Sequence, residues 1–323
     1  MRSREANLDK RQHKMKMCNL NRASGVKPVR LDKFYSGRNH GKNRLVTDST
    51  AYIPKDLLKK HDISVAPQIL IWGEKTYEDD VDIKPQEFYS KLSTTKVMPT
   101  TSQVTPSSLH KIFTEKVESG SEVLAILLSS KLSGTIQSAV QAKDLMGKSG
   151  EKVHIVDSLS TAMAMGFIVL LTARAVERGA NLQDCIKLAE GLIPMTGVFF
   201  AVDTLEFLHR GGRIGGAQRF IGSALNMKPI LSLVDGKVEG IDRIRTKSKA
   251  HDRILELTVE KARGKHPIHI ASLHANAAED AKALLARAEK ELNPEESIST
   301  EVSPVVGNHA GPGTVGLAFL AGA

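Results

Sequence analysis

The hydrophobic positions change texture along the chain. Residues 1–43 show no sustained apolar period and read as a disordered tail. From Arg44 onward, short apolar runs alternate with amphipathic stretches. Arg44–Val46 predicts a strand entering the polar turn Thr47–Thr50, and Ser64–Trp72 predicts another ending at Gly73. Val123–Leu128 and Val153–Val156 are continuous apolar runs, the pattern of strands covered on both faces of a parallel sheet. Pro54–His61, Pro85–Leu92, Ser102–Glu118 and Ser138–Met146 carry helical spacing. In Ser102–Glu118 the apolar Leu109, Ile112, Phe113 and Val117 share a face, and Pro106 is a start signal. This alternation predicts a parallel sheet with helices on both faces.

The second half reads differently. Thr161–Arg178 is an almost wholly apolar helix, followed by helix Leu182–Leu192 and strand Val198–Val202. Pro229–Val234 and Lys237–Ile244 flank Asp235-Gly236, which supplies the positive φ of a tight hairpin. Helix His251–Ala262, strand His266–Ser272, helix Asp280–Leu292 and strand Ile298–Val306 follow, and a Gly-rich turn leads into a short apolar C-terminal helix. A hairpin within α/β alternation implies a mixed sheet. The expected organisation is a tail (1–43), an α/β domain (44–160) and a second α/β domain (161–323).

Charge sharpens the first boundary. The chain of 323 residues carries +9, which alone would suggest nucleic acid or an anionic membrane as partner. Residues 1–43 hold 12 Lys/Arg and 3 Asp/Glu, whereas 44–323 hold 33 of each, so the excess lies in the tail. Aromatics at 4% leave few stacking platforms for single-stranded nucleic acid. Two cysteines far apart in sequence exclude a disulfide framework and a Cys zinc site and fit a reducing cytoplasm. The longest apolar run, Ala162–Leu171, spans ten residues, short of the ~20 needed to cross a bilayer.

The candidate chemistry gathers where strands end. Thr47–Thr50, Thr100–Gln103, Ser129–Thr135 and Asp157-Ser158 are rich in hydroxyls, and the carboxyl edge of a parallel sheet is where open α/β folds bind ligands. Hydroxyls beside helix-start N–H groups suit a phosphate or carboxylate, and each cluster also serves as a helix cap. Asp48 and Asp157 read as capping residues, with metal binding or base chemistry as the other reading. Gly311–Gly316 matches G-x-G-x-x-G without the crossover unit that gives the motif meaning, and is set aside. His309, just before it, is placed to hydrogen-bond an anion. Arg210, Arg213, Arg243, Arg245, Lys247 and Lys249 form a local cationic surface. Ser133 lies in Leu-Ser-Gly-Thr, with no nucleophile elbow around it, and no metal-binding or nucleotide-loop motif occurs. A stand-alone Ser-dependent hydrolase or phosphotransferase using Ser133 or Asp48 is the competing reading.

Several stretches resemble the DegV family of bacterial fatty-acid-binding proteins. They are VTDSTAYIP (46–54), PTTSQVTPS (99–107), SSKLSGTIQSA (129–139), VDSLSTAMAMG (156–166), DTLEFLHRGGRIG (203–215), NMKPILSLVDGKV (226–238), RIRTKSKA (243–250) and HAGPGTVG (309–316). The resemblance implies a parallel three-layer α/β/α domain, then a two-layer mixed-sheet α/β domain, with a long-chain fatty acid buried between them. It further implies the acyl-binding subunit of a fatty acid kinase. Such a subunit presents the carboxyl group to a separate ATP-binding kinase subunit and carries the acyl phosphate to an acyltransferase for phospholipid synthesis, with no cofactor or metal of its own. Thr101, Ser133 and His309 resemble the carboxylate-binding residues, and Gly134 the close backbone approach. Arg210 and Arg245 fall in segments tied to headgroup or kinase contact. Met163, Met165 and Phe167 are the expected lining of the acyl chain. Ile136, where an aromatic is common, and the Leu-Ser-Thr-Ala-Met-Ala-Met-Gly run after Asp157-Ser158 depart from the pattern and bear on chain preference.

With all excess charge in the tail, removing residues 1–43 is expected to abolish any salt-dependent nucleic-acid binding. A gel-shift series at low salt checks this; binding retained without the tail would place a basic surface on the body.

Overall fold

The computed structural model describes residues 43–222 and 227–323. The expected tail lies outside the described residues apart from Asn43, which opens strand β1 (Asn43–Asp48). The chain passes through α1 (Lys55–Lys60) to β2 (Ser64–Ala66). Pro67 has no N–H to continue that ladder, and the chain turns into β3 (Ile69–Trp72). β3 pairs antiparallel with β4 (Lys75–Glu78) and, beyond α2 (Pro85–Leu92), with β5 (Thr100–Ser102). The single strand expected over Ser64–Trp72 is therefore two strands in two sheets. The helix expected from Ser102 begins later, as α3 (Pro106–Glu118), where Thr105 Oγ1 accepts from the Ser108 N–H at 3.1 Å.

β6 (Glu122–Leu127), α4 (Thr135–Leu145) and β7 (Val153–Asp157) complete a parallel sheet of order β2-β1-β6-β7. β6 is covered on both sides. Val123, Ala125 and Leu127 join Phe113 and Ala139 on the α3/α4 side, and Leu124 and Ile126 enter the opposite core. That core is supplied by α5 (Ala162–Glu177) and α6 (Leu182–Leu192). The expected break near residue 160 thus precedes two helices that still cover the first sheet.

Next come β8 (Thr196–Ala201), α7 (Glu206–Arg210) and the hairpin of β9 (Lys228–Val234) and β10 (Lys237–Ile244). After α8 (Lys247–Ala262), β11 (Ile268–His274), α9 (Ala278–Leu292) and β12 (Glu296–Glu301), the chain ends with α10 (Pro304–Ala310) and β13 (Val315–Ala321). These strands form a mixed sheet of order β10-β9-β8-β13-β11-β12. α8 and α9 cover one face, and α5 packs against β8, β11 and β13 on the other. Lying between two sheets, α5 is buried on every side from Ala162 to Ala173.

Two expectations at the C-terminus are corrected. The strand predicted over Ile298–Val306 stops at Glu301, and Pro304 opens α10 as its first residue, where a missing N–H costs nothing. The apolar segment predicted as a terminal helix is β13, hydrogen-bonded to β8 on one side and β11 on the other, with all seven residues buried. His309 therefore sits in the last turn of a helix.

α5 is pinned to the edge of the mixed sheet by Arg174, whose guanidinium donates to both Glu296 oxygens at 3.0 and 2.5 Å, while His269 Nδ1 lies 3.1 Å from the same carboxylate. Burial alone would raise the Glu296 carboxyl, but hydrogen bonds from His269 and Arg174 outweigh it and hold it down to about 2. A depressed carboxylate stabilises the fold above its unfolded value of 4.5 and loses that contribution as pH falls toward 2. Glu296→Gln is expected to cost about 2 kcal/mol at neutral pH, discounted for partial exposure. Urea unfolding should show the wild type losing this advantage between pH 4.5 and 2 while the variant stays flatter in that window.

Candidate functional site

A cleft opens where the carboxyl ends of β1 and β6, the small antiparallel sheet, the mixed sheet and α10 meet. Its empty space, counted out into the open mouth, is about 900 Å³. Leu132, Val198, Phe200, Leu233, Leu273 and Val306 are among its apolar walls. Its polar groups include Thr101, Ser133, Gln68, Gln103, Arg213 and His309. Thr101 and Ser133, from the first half of the chain, thus meet His309, which lies 208 positions beyond Thr101.

Each is held by a different part of the fold. Thr101 lies on β5, paired with Leu70 of β3. Ser133 lies in the loop after β6, at the hydroxyl-rich turn picked out from sequence. The mixed sheet supports that loop: Ser129 Oγ donates to the Gly236 carbonyl at 2.8 Å, and Arg213 Nε donates to the Leu132 carbonyl at 3.0 Å. Gly236 is required on two counts. Its φ is +79°, and a Cβ there would lie 2.3 Å from Ser129 Oγ. His309 is set by α10, whose start is fastened to the first half of the chain. Val305 N–H donates to Asp79 at 3.1 Å, Ser49 Oγ donates to the same carboxyl at 2.6 Å, and the Tyr89 hydroxyl donates to the Val302 carbonyl at 3.1 Å. Burial pushes the Asp79 carboxyl up to about 6.

His309 Nε2 is 2.7 Å from Thr101 Oγ1, and its buried Nδ1 has no hydrogen-bond partner. Burial, with the Arg213 guanidinium adding repulsion, pushes the imidazole down to about 4, so it is neutral near pH 7. With the proton on Nε2, His309 donates to Thr101, and the Thr101 hydroxyl proton is then free to point at a ligand. The orphaned Nδ1 is best left as a lone pair, because a buried N–H without an acceptor is the costlier choice. The geometry provides neutral hydroxyl donors beside one guanidinium, a head site for an anion at the end of an apolar cleft.

Other expectations meet a different outcome. Gly134 caps α4 and lies against Gln103, whose Oε1 would be 2.5 Å from an added Cβ; it is not a cleft wall. Met163, Met165 and Phe167 are fully buried in the core and do not line the cleft; only Thr161 and Ala162, at the start of α5, reach it. Arg210 is exposed and ion-paired with Glu206, and Arg245 is exposed; neither lines the cleft. Arg213, which the sequence grouped with those surface cations, is the one that turns inward. Its signal was the Gly-rich loop around it, Gly211-Gly212-Arg213, where Gly211 packs against His309.

Asp48 takes the capping role. Its buried carboxyl accepts from Thr50 N–H at 3.0 Å, Thr50 Oγ1 at 2.7 Å and Leu128 N–H at 2.8 Å, tying the ends of β1 and β6 together. Asp157 likewise accepts from Leu159 N–H at 2.9 Å and Ser130 N–H at 3.3 Å. Ser133, His309 and Asp157 form no Ser–His–Asp chain among the described residues: Ser133 bonds Thr135, His309 bonds Thr101 and Asp157 bonds backbone N–H groups. No group of three potential metal ligands occurs among the described residues, and no helix among them is long and apolar enough to cross a membrane.

A family model described as "Uncharacterised protein, DegV family" matches residues 42–322. The chain belongs to the DegV family. Protein DegV of Bacillus subtilis is 35% identical over 276 residues, covering 85% of this chain and 98% of that protein. Among solved structures, a DegV family protein from Thermus thermophilus, described by its fatty acid binding, superposes with a TM-score of 0.82 at 35% identity, covering 87% of this chain and 99% of that one. DegV of Bacillus subtilis, described as a fatty acid binding protein, gives a TM-score of 0.79 at 33% identity over 87% and 99% of the two chains. The two-sheet α/β architecture is that of the DegV family.

The neutral state of His309 has a direct reading. Its ring should titrate near pH 4 in the folded protein, followed by ring nitrogen chemical shifts. Because the unfolded ring takes its proton near 6.5, folding should weaken as pH falls from 6.5 to about 4, and His309→Gln should lessen that loss. A midpoint near 6.5 would mean that the ring is open to water.

Proposed function

We propose that this chain binds a long-chain fatty acid in the cleft, with the carboxylate at the Thr101 and Ser133 hydroxyls, His309 orienting Thr101 from behind and Arg213 nearby, and the hydrocarbon along the apolar walls. The observation that carries this reading is the joining of a deep apolar cleft to a head site made of neutral hydroxyl donors. The related proteins described as fatty acid binding support it. Burying about 14–18 methylenes at ~0.8 kcal/mol each gives ample gross driving force, reduced by the cost of ordering the chain. An ionised carboxylate needs donors when it leaves water, and Thr101 and Ser133 supply them. Gly134 contributes by letting Gln103 close over the start of α4, as its missing Cβ permits.

In this reading the chain holds and presents, and a separate ATP-binding kinase subunit supplies the phosphoryl group. One carboxylate oxygen attacks the γ-phosphorus of ATP, the bond to the β,γ-bridging oxygen breaks, and ADP leaves. The acyl phosphate then travels on this chain to an acyltransferase for phospholipid synthesis. Arg210 and Arg245, both exposed, are the residues proposed to meet the partner or the phosphorylated headgroup. Among the described residues, the hydrogen-bond pattern around Ser133 offers no base for the hydrolase reading.

Native mass spectrometry of the purified protein, followed by solvent extraction, should find one fatty acid of roughly 14–18 carbons per chain. An empty cleft with esterase activity abolished by Ser133→Ala would overturn the reading. Thr101→Ala and His309→Ala should each slow acyl phosphate formation with a kinase subunit and ATP by about tenfold. Unchanged rates in both would remove them from the head site.

A further inference from the structure

Behind Ser133 lies a buried polar cluster that the head site does not use directly. Thr135, the first residue of α4, and Gln68, in the link between β2 and β3, are 0% and 1% exposed. Thr135 Oγ1 receives the Val104 N–H at 3.4 Å and the Gln68 side-chain N–H at 3.0 Å. Ser133 Oγ stands 3.0 Å from the same oxygen, and the Thr135 hydroxyl is also within reach to donate to Gln68 Oε1, at the longer distance of 3.3 Å.

The distances in this cluster favour one arrangement of protons. A hydroxyl has one proton and two lone pairs. The Val104 backbone amide can only donate. Of the two Gln68 side-chain atoms near Thr135, the nitrogen is the closer, at 3.0 Å against 3.3 Å for Oε1, so Thr135 accepts from the Gln68 NH₂ group. Both lone pairs of Thr135 are then taken, and Thr135 cannot accept from Ser133. Two hydroxyl oxygens 3.0 Å apart need a proton between them, so Thr135 donates to Ser133. The proton of Ser133 is thereby left for the cleft that Ser133 lines.

We propose that Thr135 is a positioning residue that commits the Ser133 hydroxyl proton to the ligand, so that the head of the cleft selects an ionised carboxylate over a neutral alcohol of the same chain length. The proposal rests on the fatty-acid reading of the cleft. Its physical basis is that a donor which itself receives a hydrogen bond is strengthened, and that the gain is largest when the acceptor is charged. A carboxylate profits from this in full. An alcohol, which must also place its own proton, profits little.

The experiment measures the affinities of palmitate and of hexadecanol for wild type, Thr135→Val and Thr135→Ser. Thr135→Val keeps the shape and removes the hydroxyl; Thr135→Ser keeps the hydroxyl. The acid-to-alcohol affinity ratio should fall about tenfold in Thr135→Val, the margin of a charge-assisted hydrogen bond, and return toward wild type in Thr135→Ser. A purely structural role would weaken both ligands equally and leave the ratio unchanged, which would overturn the proposal. If wild type binds neither ligand, the fatty-acid reading fails and this inference with it; if wild type binds palmitate and the ratio is unmoved, only this inference fails. Should Thr135→Val not fold, carboxyl-¹³C palmitate bound to wild type decides. A carboxyl that titrates below the ordinary carboxylate range supports a committed donor, and one that titrates above it, as a poorly paired buried carboxylate does, overturns it.

Discussion

A helix with no polar side can exist in water only if something covers it all round, and α5 makes that demand on the whole molecule. Its faces are claimed by β1 and β6 of the parallel sheet and by β8, β11 and β13 of the mixed sheet. Gly166 lets it approach the turn after β1 so closely that a Cβ would lie 2.6 Å from the Ala51 carbonyl. One core cluster therefore runs from Leu45 on the first sheet to Leu320 on the second. The cleft opens at the N-terminal end of this shared layer, beside Thr161 and Ala162, where the two sheets diverge.

The head site follows from how the buried polar groups around it are satisfied. Asp48 takes backbone N–H groups from two strand ends, Asp79 takes one from the start of α10, and Thr135 joins the Val104 loop to the Ser133 loop. Each buried acceptor is a fastening between segments far apart in sequence. The polar side chains that line the cleft are thus held by a shell of buried groups behind them, which gives the cleft a fixed geometry.

Much of this was legible in the amino-acid pattern. β6, β7, the Asp235-Gly236 hairpin and α6 were read close to their observed limits, because each is a strong periodic or continuous signal with a clear stop. Strand-end logic found the Thr101 and Ser133 turns, His309 stood out beside the Gly-rich turn, and the family resemblance added the role of these three residues. The failures have physical causes. β13 is a seven-residue apolar run that periodicity cannot assign, and its pairing partners β8 and β11 lie far away in sequence. The methionines of α5 looked like an adaptable lining, but a helix covered on all sides has no face left for a ligand. Arg213 and Arg210 share one Gly-rich motif, and only the position of α7 sends one inward and leaves the other on the surface.

The contact between Ser129 and Gly236 links two levels of this structure. The tip of a hairpin in the mixed sheet is a fixed abutment for the loop that carries Ser133, through a hydrogen bond shielded from water. The loop is held from its own sheet by Asp48 and Asp157 and from the other sheet by Gly236. The position of Ser133 therefore depends on residues of both sheets, and a shift of the hairpin tip would reach the cleft through a single hydrogen bond.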